Sequence, residues 1–544
     1  MNLIYGCHGE EIETARNQLE KAALDLFNDT GENLSLGSTT FSLNAITDGG
    51  AGVTLQKTSK ISSALVGRLY DTLETDFSDA TKRIGFEDLS GLSQLHGCYA
   101  LAILNHDKEE LTLATDEGGF RNLYFAEADN VIWFSSHITL LAKALGHRTS
   151  IERCYEDFLL SYGFVPFENT FYKGIFEIPV GSALIISQGS GKIFQPIERE
   201  DPWQENISSS KIADLTHSEQ LNLMETAFLT ATKEIAHPSK KAAVLLGGVD
   251  SALVAAALKN IGKEVTTYSF FYENEGFNQT HTDTLAKHLD IDHVWIPITA
   301  EVISKGLTEF PKKFNRPTNW PNYLIQTEYL CQQIKKDGHE VCYSGDGCDG
   351  IFLGYPRTHT ISNFLDTSFL LPKSVLKILE KTFGSRWLEI RLGRPLRVAF
   401  NMLRNLSRRP PARGFIPFRI LDDLTLKHIR TEPPPTQKEN VEQVLKLLSS
   451  STSDLSPQRR AYHGKNSVGV NKNKIAGASD STGLPILSPY LHPGLSRFTK
   501  SLPENLLRPK ENPKYKKLGK YLLLAMAENK DLLPNEVIFQ PKIS

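Results

Sequence analysis

Apolar and polar positions follow two different rhythms along this chain. From residue 1 to about 205, short apolar segments recur between turn signals: Cys98–Leu104, Leu111–Ala114, Val131–Phe134 and Ala183–Ile186. Runs of this length predict strands, so this part is expected to be a mainly β domain with some helices, with a turn over Gln188–Lys192. Residues 197–215 are polar, carry Pro202 and Ser208–Ser210, and suit a linker. From about 216 the rhythm changes. Strand candidates at 242–246, 265–271, 293–298 and 340–344 alternate with helical periodicity at 218–235, 250–260, 279–289 and 321–336. That alternation predicts a parallel sheet with helices on both faces. Two domains are therefore expected, 1–205 and 216–544. Residues 361–430 read as helical and basic, with Arg386, Arg391, Arg394, Arg397, Arg404, Arg408, Arg409 and Arg413 along one stretch. Glu432–Pro435 and Ser449–Ser453 mark loops.

Two of the predicted strands run into glycine loops at the carboxyl edge of the sheet, where such sheets bind ligands. The first loop holds Gly247 and Gly248 and opens a helix with Asp250 and Ser251; the second reads Ser344, Gly345, Asp346, Gly347, Cys348, Asp349, Gly350. Backbone N–H groups at such a helix start receive phosphate oxygens, and glycine lets them approach without a Cβ in the way. Asp250 is placed to hold a magnesium ion beside them. The phosphate-loop pattern GxxxxGK[ST] is missing, which disfavours transfer of a γ-phosphate. Asp250 and Asp349 together suit a metal-bridged triphosphate that reacts at its α-phosphate and releases pyrophosphate.

Bulk properties narrow the setting. The 544 residues carry a net charge of −3, 40% hydrophobic and 23% charged positions, so nothing in the total points to nucleic acid or to an anionic membrane. Cys7, Cys98, Cys154, Cys331, Cys342 and Cys348 form no metal-binding spacing, and scattered thiols fit a reducing, cytoplasmic setting. The first residues lack the basic start and apolar run of a signal peptide. No uninterrupted apolar run reaches the roughly 18 residues that span a bilayer.

The residues now carry a resemblance to the asparagine synthetase family. Leu246–Ser251 matches its SGGxDS loop at all but the first position, and Ser344–Tyr355 is similar to its SGxGxDExFxGY segment. Leu484–Ser488, Leu502–Pro503, Lys520–Leu523, Leu532–Val537 and Pro541–Lys542 follow the family's final portion. Leu95–Leu101, Thr115–Asp116, Asn122–Phe125, Phe134–Ser136, Gly174–Ile175 and Pro179–Gly181 resemble strands of its amidotransferase domain. The resemblance implies an α/β protein: an N-terminal Ntn-hydrolase-like αββα sandwich, degenerate as a glutamine amidotransferase, followed by a parallel α/β ATP-pyrophosphatase domain of the adenine nucleotide α-hydrolase type. It implies a C–N ligase that uses ATP and Mg2+, adenylates a carboxylate and lets an amine displace AMP. By the same resemblance Gly247 and Gly248 cradle pyrophosphate, Ser251 touches phosphate, and Asp250 and Asp349 hold the metal. Leu246, Ser269 and Phe270 lie beside adenosine, and Ser344, Gly345 and Gly347 line the second loop of the nucleotide site. Asp346 and Lys542 serve the catalytic step.

Departures from the family pattern shape the expectation further. Glutamine-hydrolysing members place Cys after the initiator Met, where this chain has Asn2; Cys7 reads as a small buried residue. The Asn-Gly-Glu that builds the oxyanion donor and binds glutamine is Val66, Gly67, Arg68 here, and a valine side chain donates nothing to an oxyanion. No glutamine hydrolysis is expected, and the domain is expected to persist as scaffold. Gly350 stands for a usual Glu, Arg316 for an acidic residue before Pro317, and Leu246 for a serine. Arg316 is then free to pair a substrate carboxylate. Two branches without the glutaminase join an amine and a carboxylate of one substrate. The β-lactam synthetases place Tyr at the position of Asp346, so the lasso-peptide macrolactam synthetases are the better match. Under that reading the partners are a substrate bearing carboxylate and amine, a precursor peptide and leader-processing proteins, with no nucleic acid and no membrane. Asparagine formation from aspartate and ammonia, and a catalytically silent peptide-binding homologue, are the alternatives.

Overall fold

The structure, a computed structural model, describes residues 1–27, 31–47, 52–70, 90–93, 95–162, 169–187, 191–197, 209–273, 280–314, 321–355, 473–509 and 518–539, with a few isolated positions such as 316–318 and 514–515. Lys542, the basic stretch 386–413 and the loops at 432–435 and 449–453 lie outside the described residues.

Two antiparallel six-stranded sheets form the N-terminal half. In spatial order the first runs Ile175–Glu177, Tyr124–Ala128, Val131–Ser135, Leu3–Gly9, Phe41–Thr47, Glu32–Gly37. The second runs Gly191–Pro196, Ser182–Ser187, Glu110–Thr115, Gly97–Asn105, Ile61–Leu69, Val53–Lys57. Side chains on a strand alternate between faces, and Leu3–Gly9 uses both. Ile4 joins Leu43, Val66, Leu113 and Phe134 between the sheets. Leu3, Tyr5 and Cys7 point the other way, into a layer closed by the helices Glu13–Phe27 and Ile138–Leu145. The outer face of the second sheet buries Leu65, Tyr99 and Leu101 under Leu92 of the short helix Ser90–Ser93. The layers are those of the expected αββα sandwich.

Residues 209–214 depart from the expected linker. They form the helix Ser209–Asp214, because Ile212 gives that polar stretch an anchor that is 0% exposed. The next helix, His217–Ile235, starts at a capping box in which Thr216 and Glu219 satisfy each other's free backbone N–H groups.

The second half is built on a parallel sheet in the order Asp292–Ile298, Glu264–Tyr272, Lys241–Leu245, Cys342–Ser344, Ile486–Leu487. The alternation read from residue 216 onward is this sheet and its helices Val249–Asn260, Thr280–Leu289, Ala300–Lys313 and Pro321–Lys336. Val249–Asn260 is buried from Ser251 through Leu258, as befits a helix apolar on all sides. Register sets the site: Leu245 stands opposite both Tyr268 and Ser344, so the two glycine loops leave adjacent strands at one level.

The halves interlock. Arg121 reaches from the sandwich to Asp480, to Ser479 Oγ at 3.1 Å and to the Ala476 carbonyl at 3.4 Å. The Asn2 backbone N–H donates to the Asp480 carbonyl at 2.9 Å. Glu177 pairs with Arg316, and Glu117 with Arg497. Most of these contacts converge on a helix at 473–482. Among the described residues no helix is long and apolar enough to cross a membrane.

Candidate active site

The first loop leaves its strand at Leu246, whose backbone N–H donates to the Tyr268 carbonyl at 2.8 Å and whose carbonyl accepts from Ser269 Oγ at 2.7 Å. These bonds fix where the chain turns. The Leu246 side chain packs, half-buried, against the main core. Gly247 and Gly248 then cross the mouth of helix Val249–Asn260, both exposed. A Cβ at either would meet nothing within 4 Å. Open space beside two glycines at a helix start lets an anion come close to their backbone. Ser251 Oγ accepts from the N–H groups of Gly247 at 2.9 Å and Gly248 at 3.3 Å and donates to the Gly248 carbonyl at 3.0 Å.

The second loop touches the first. A Cβ on Gly345 would sit 2.6 Å from the Ser251 nitrogen and 2.9 Å from Asp250 Cβ, so only glycine allows the two loops to approach this closely. Tyr490, buried beneath them, donates to the Asp250 carbonyl at 3.0 Å. Ser344 is buried, and its Oγ accepts from the Asp346 N–H at 3.3 Å. Ser488 Oγ donates to the Asp346 carbonyl at 2.7 Å. Ser269 and Phe270 lie on the neighbouring strand, the first buried and the second 36% exposed with its ring against Tyr272.

Asp250 and Asp349 converge, and they do so on a buried lysine, Lys520. Lys520 Nζ lies 2.6 and 2.7 Å from the two carboxylate oxygens of Asp250 and 2.6 Å from Asp349 Oδ1. Lys520 is only 4% exposed. Burial pushes its ammonium towards losing the proton, but the charges of Asp250 and Asp349 reverse that and hold it well above the ordinary lysine value. Gly354 closes the cage: a Cβ there would fall 2.0 Å from Lys520 Cε and 2.2 Å from Asp349 Oδ1. The carboxylate pair thus has the charge and spacing to hold a small cation, which is the fit that a magnesium ion requires.

A second lysine was also missed. Lys474 Nζ bonds both oxygens of Asp346, at 3.0 and 2.9 Å. It projects from the helix at 473–482 that the N-terminal half grips. Lys474 falls in no motif, and Lys520 heads the Lys520–Leu523 match without a role attached to it; the two are brought in from 128 and 270 residues away in sequence. Arg316 does pair a carboxylate, but it is the chain's own Glu177, 3% exposed, so the expected pairing with substrate is taken up inside the protein.

Two residues weighed for a glutaminase site, Cys7 and Val66, are buried. Cys7 is 1% exposed and burial pushes its thiol up to about 12. Val66 is 1% exposed, and Gly67 has φ +118 with the Cys98 carbonyl 1.9 Å from where a Cβ would stand.

Residues 79–195 match the family described as Glutamine amidotransferase domain. Asparagine synthetase [glutamine-hydrolyzing] 1 of Bacillus subtilis is 22% identical over 264 residues, 48% of this chain and 40% of that protein. Putative asparagine synthetase [glutamine-hydrolyzing] 1 of Methanocaldococcus jannaschii is 25% identical over 273 residues, 50% and 47%. Amidase chry2 of Gibberella zeae is 23% identical over 279 residues, 47% and 40%. The chain thus spans less than half the length of these relatives. Among solved structures, the allosteric regulatory enzyme of purine biosynthesis aligns with TM-score 0.26 at 13% identity, over 55% of this chain and 80% of that one. NMN synthetase from Francisella tularensis aligns with TM-score 0.20 at 16%, over 26% and 60%. Residues 230–544, more than half of the chain, match the family described as Asparagine synthase, and the chain belongs to that family.

Proposed function

We propose that this chain is an ATP-dependent ligase that activates a carboxylate as its adenylate, releases pyrophosphate and joins the acyl group to an amine. The observation that carries this reading is the convergence of Asp250 and Asp349 on one buried cation beside the open Gly247–Gly248 cradle. In this reading Gly247, Gly248 and Ser251 receive the pyrophosphate oxygens, and Asp250 and Asp349 hold magnesium. The metal supplies charge neutralisation for the departing pyrophosphate. Leu246, Ser269 and Phe270 border the adenosine, and Ser344, Gly345 and Gly347 shape the second loop. Asp346, held by Lys474, faces the acyl end, and Lys542 serves the same step by resemblance to the family.

The source of the amine follows from the N-terminal half. A nucleophile needs its thiolate, and Cys7 is buried and protonated; the oxyanion donor is a valine. With no glutamine hydrolysis, the substrate's own amine is the natural partner for the activated carboxylate, as in macrolactam formation on a precursor peptide. The substrate class is a small molecule or peptide carrying both groups.

The test is AMP and pyrophosphate release from Mg·ATP, with Asp250→Ala as control. Release that needs aspartate and ammonia would make the chain an asparagine-forming enzyme and overturn the intramolecular reading. Release that needs a peptide carrying both groups, and not those small substrates, supports it. Identical behaviour of the Asp250→Ala variant with every substrate would leave a silent homologue.

A further inference from the structure

Lys520 occupies the position between the carboxylates that a metal ion would need. Its ammonium hydrogen-bonds both Asp250 oxygens at 2.6 and 2.7 Å and lies 2.6 Å from Asp349 Oδ1, and the Lys520 stem packs so closely against Gly354 that a Cβ there would fall 2.0 Å from Cε. The backbone is anchored as well: Lys520 has φ +55 and its N–H donates to the Phe352 carbonyl at 3.1 Å. A magnesium ion needs oxygen ligands at about 2.0–2.1 Å, and a divalent cation drawn to those oxygens meets an ammonium already at contact distance, whose charge repels it. On the anion side the same thing has happened. Ser251 Oγ fills the hydrogen bonds of the Gly247 and Gly248 N–H groups. Both halves of the site are internally satisfied, and a phosphate chain offers each an alternative: oxygens for the N–H groups and oxygens for the ammonium.

We propose that Lys520 is a resident counter-ion that closes the Asp250–Asp349 pair to free divalent cations, so that metal enters only together with a phosphate chain that draws the ammonium off the carboxylates. The inference rests on the reading above that this pair holds the metal. It adds an order to binding: metal and polyphosphate bind as a couple, and each raises the affinity for the other by the same factor.

The experiment is a titration with Mn2+ alone, followed by electron paramagnetic resonance, on nucleotide-free full-length protein. Lys520→Met removes the charge and keeps an unbranched stem; it should bind Mn2+ at least about tenfold more tightly than wild type, since a unit charge at this range weighs heavily on a cation. Lys520→Arg should stay as weak as wild type. Adding Asp349→Asn to Lys520→Met should erase the gain, which assigns the site. In wild type, inorganic pyrophosphate should tighten Mn2+ binding at least about tenfold after correction for the complex formed in solution; this arm needs no variant and stands even where one fails to fold. Equal Mn2+ affinity with and without pyrophosphate, or no gain in Lys520→Met, overturns the proposal. Should wild type still release AMP from Mg·ATP in that case, only the counter-ion role falls. Should it bind no Mn2+ even with pyrophosphate, the metal reading falls with it.

Discussion

Arg121 of the sandwich pairs with Asp480 across the boundary between the two halves. The same guanidinium also holds Ser479 and the Ala476 carbonyl, so one side chain fixes a turn of the helix at 473–482. Just before that turn the helix presents Lys474 to Asp346. The sandwich thus contributes to the loop that carries Asp346, through the placement of a helix.

Breaking this pair should cost stability in a pH-dependent way. Arg121→Ala leaves a buried carboxylate unpaired and should destabilise the protein by about 3 kcal/mol near neutral pH. Burial already pushes the Asp480 carboxyl up to about 6, against the pull of Arg121. A raised carboxyl favours the folded state below its unfolded value, and that contribution is lost as pH rises through the folded value. Without Arg121 the folded value rises further. The deficit of the variant should therefore be small at pH 5 and grow towards pH 8, read from urea midpoints at each pH.

Lys474 is a positioning residue for Asp346. Lys474→Met should lower AMP formation at least about tenfold by leaving the carboxylate without its charged partner, with the loss in kcat and little change in KM for ATP. Lys474→Arg should recover part of it. Equal loss in both variants, or a loss confined to KM, would count against this role.

Glycine substitutions should separate nucleotide binding from folding. Gly345→Ala drives a Cβ to 2.6 Å from the Ser251 backbone nitrogen and should destabilise the fold by about 1–3 kcal/mol. Gly247→Ala meets nothing within 4 Å. It should leave thermal unfolding close to wild type and weaken binding of a fluorescent ATP analogue, because the new methyl enters the space of the phosphate.

Cys7 should be chemically inert. With its thiol pushed up to about 12 by burial, it stays protonated across the working range. Mass-spectrometric mapping after iodoacetamide should show no labelling of Cys7 in the native protein from pH 7 to 9. Cys7→Val should leave AMP release unchanged and cost under about 1.5 kcal/mol. Labelling that climbs through pH 8 would mean that the thiol is reachable.

The second half was readable because its elements announce themselves. Apolar strands of the parallel sheet alternate with helices, and the predicted bounds 293–298 and 321–336 fall within a residue of the observed ones. The first half was harder. Leu3–Gly9 is buried on both faces and lacks the alternation of a half-exposed strand, and Phe41–Thr47 alternates only to bury its polar Ser42 and Asn44 as well. Gly247, Gly248, Asp250 and Asp349 could be read from the loops that carry them. Lys520 and Lys474 could not, because their roles exist only after a helix start and a distant loop meet in space. Ile212 shows the converse: one apolar residue in a polar stretch turned an expected linker into a packed helix.

The gripping of the helix at 473–482 by the sandwich also bears on how such a protein can change over generations. Halves joined by Arg121–Asp480, Glu177–Arg316 and Glu117–Arg497 cannot drift separately, since a change at one partner strands the other. A change in the chemistry of the first half would then give no freedom to discard it. Natural variation at positions 121 and 480 should be correlated.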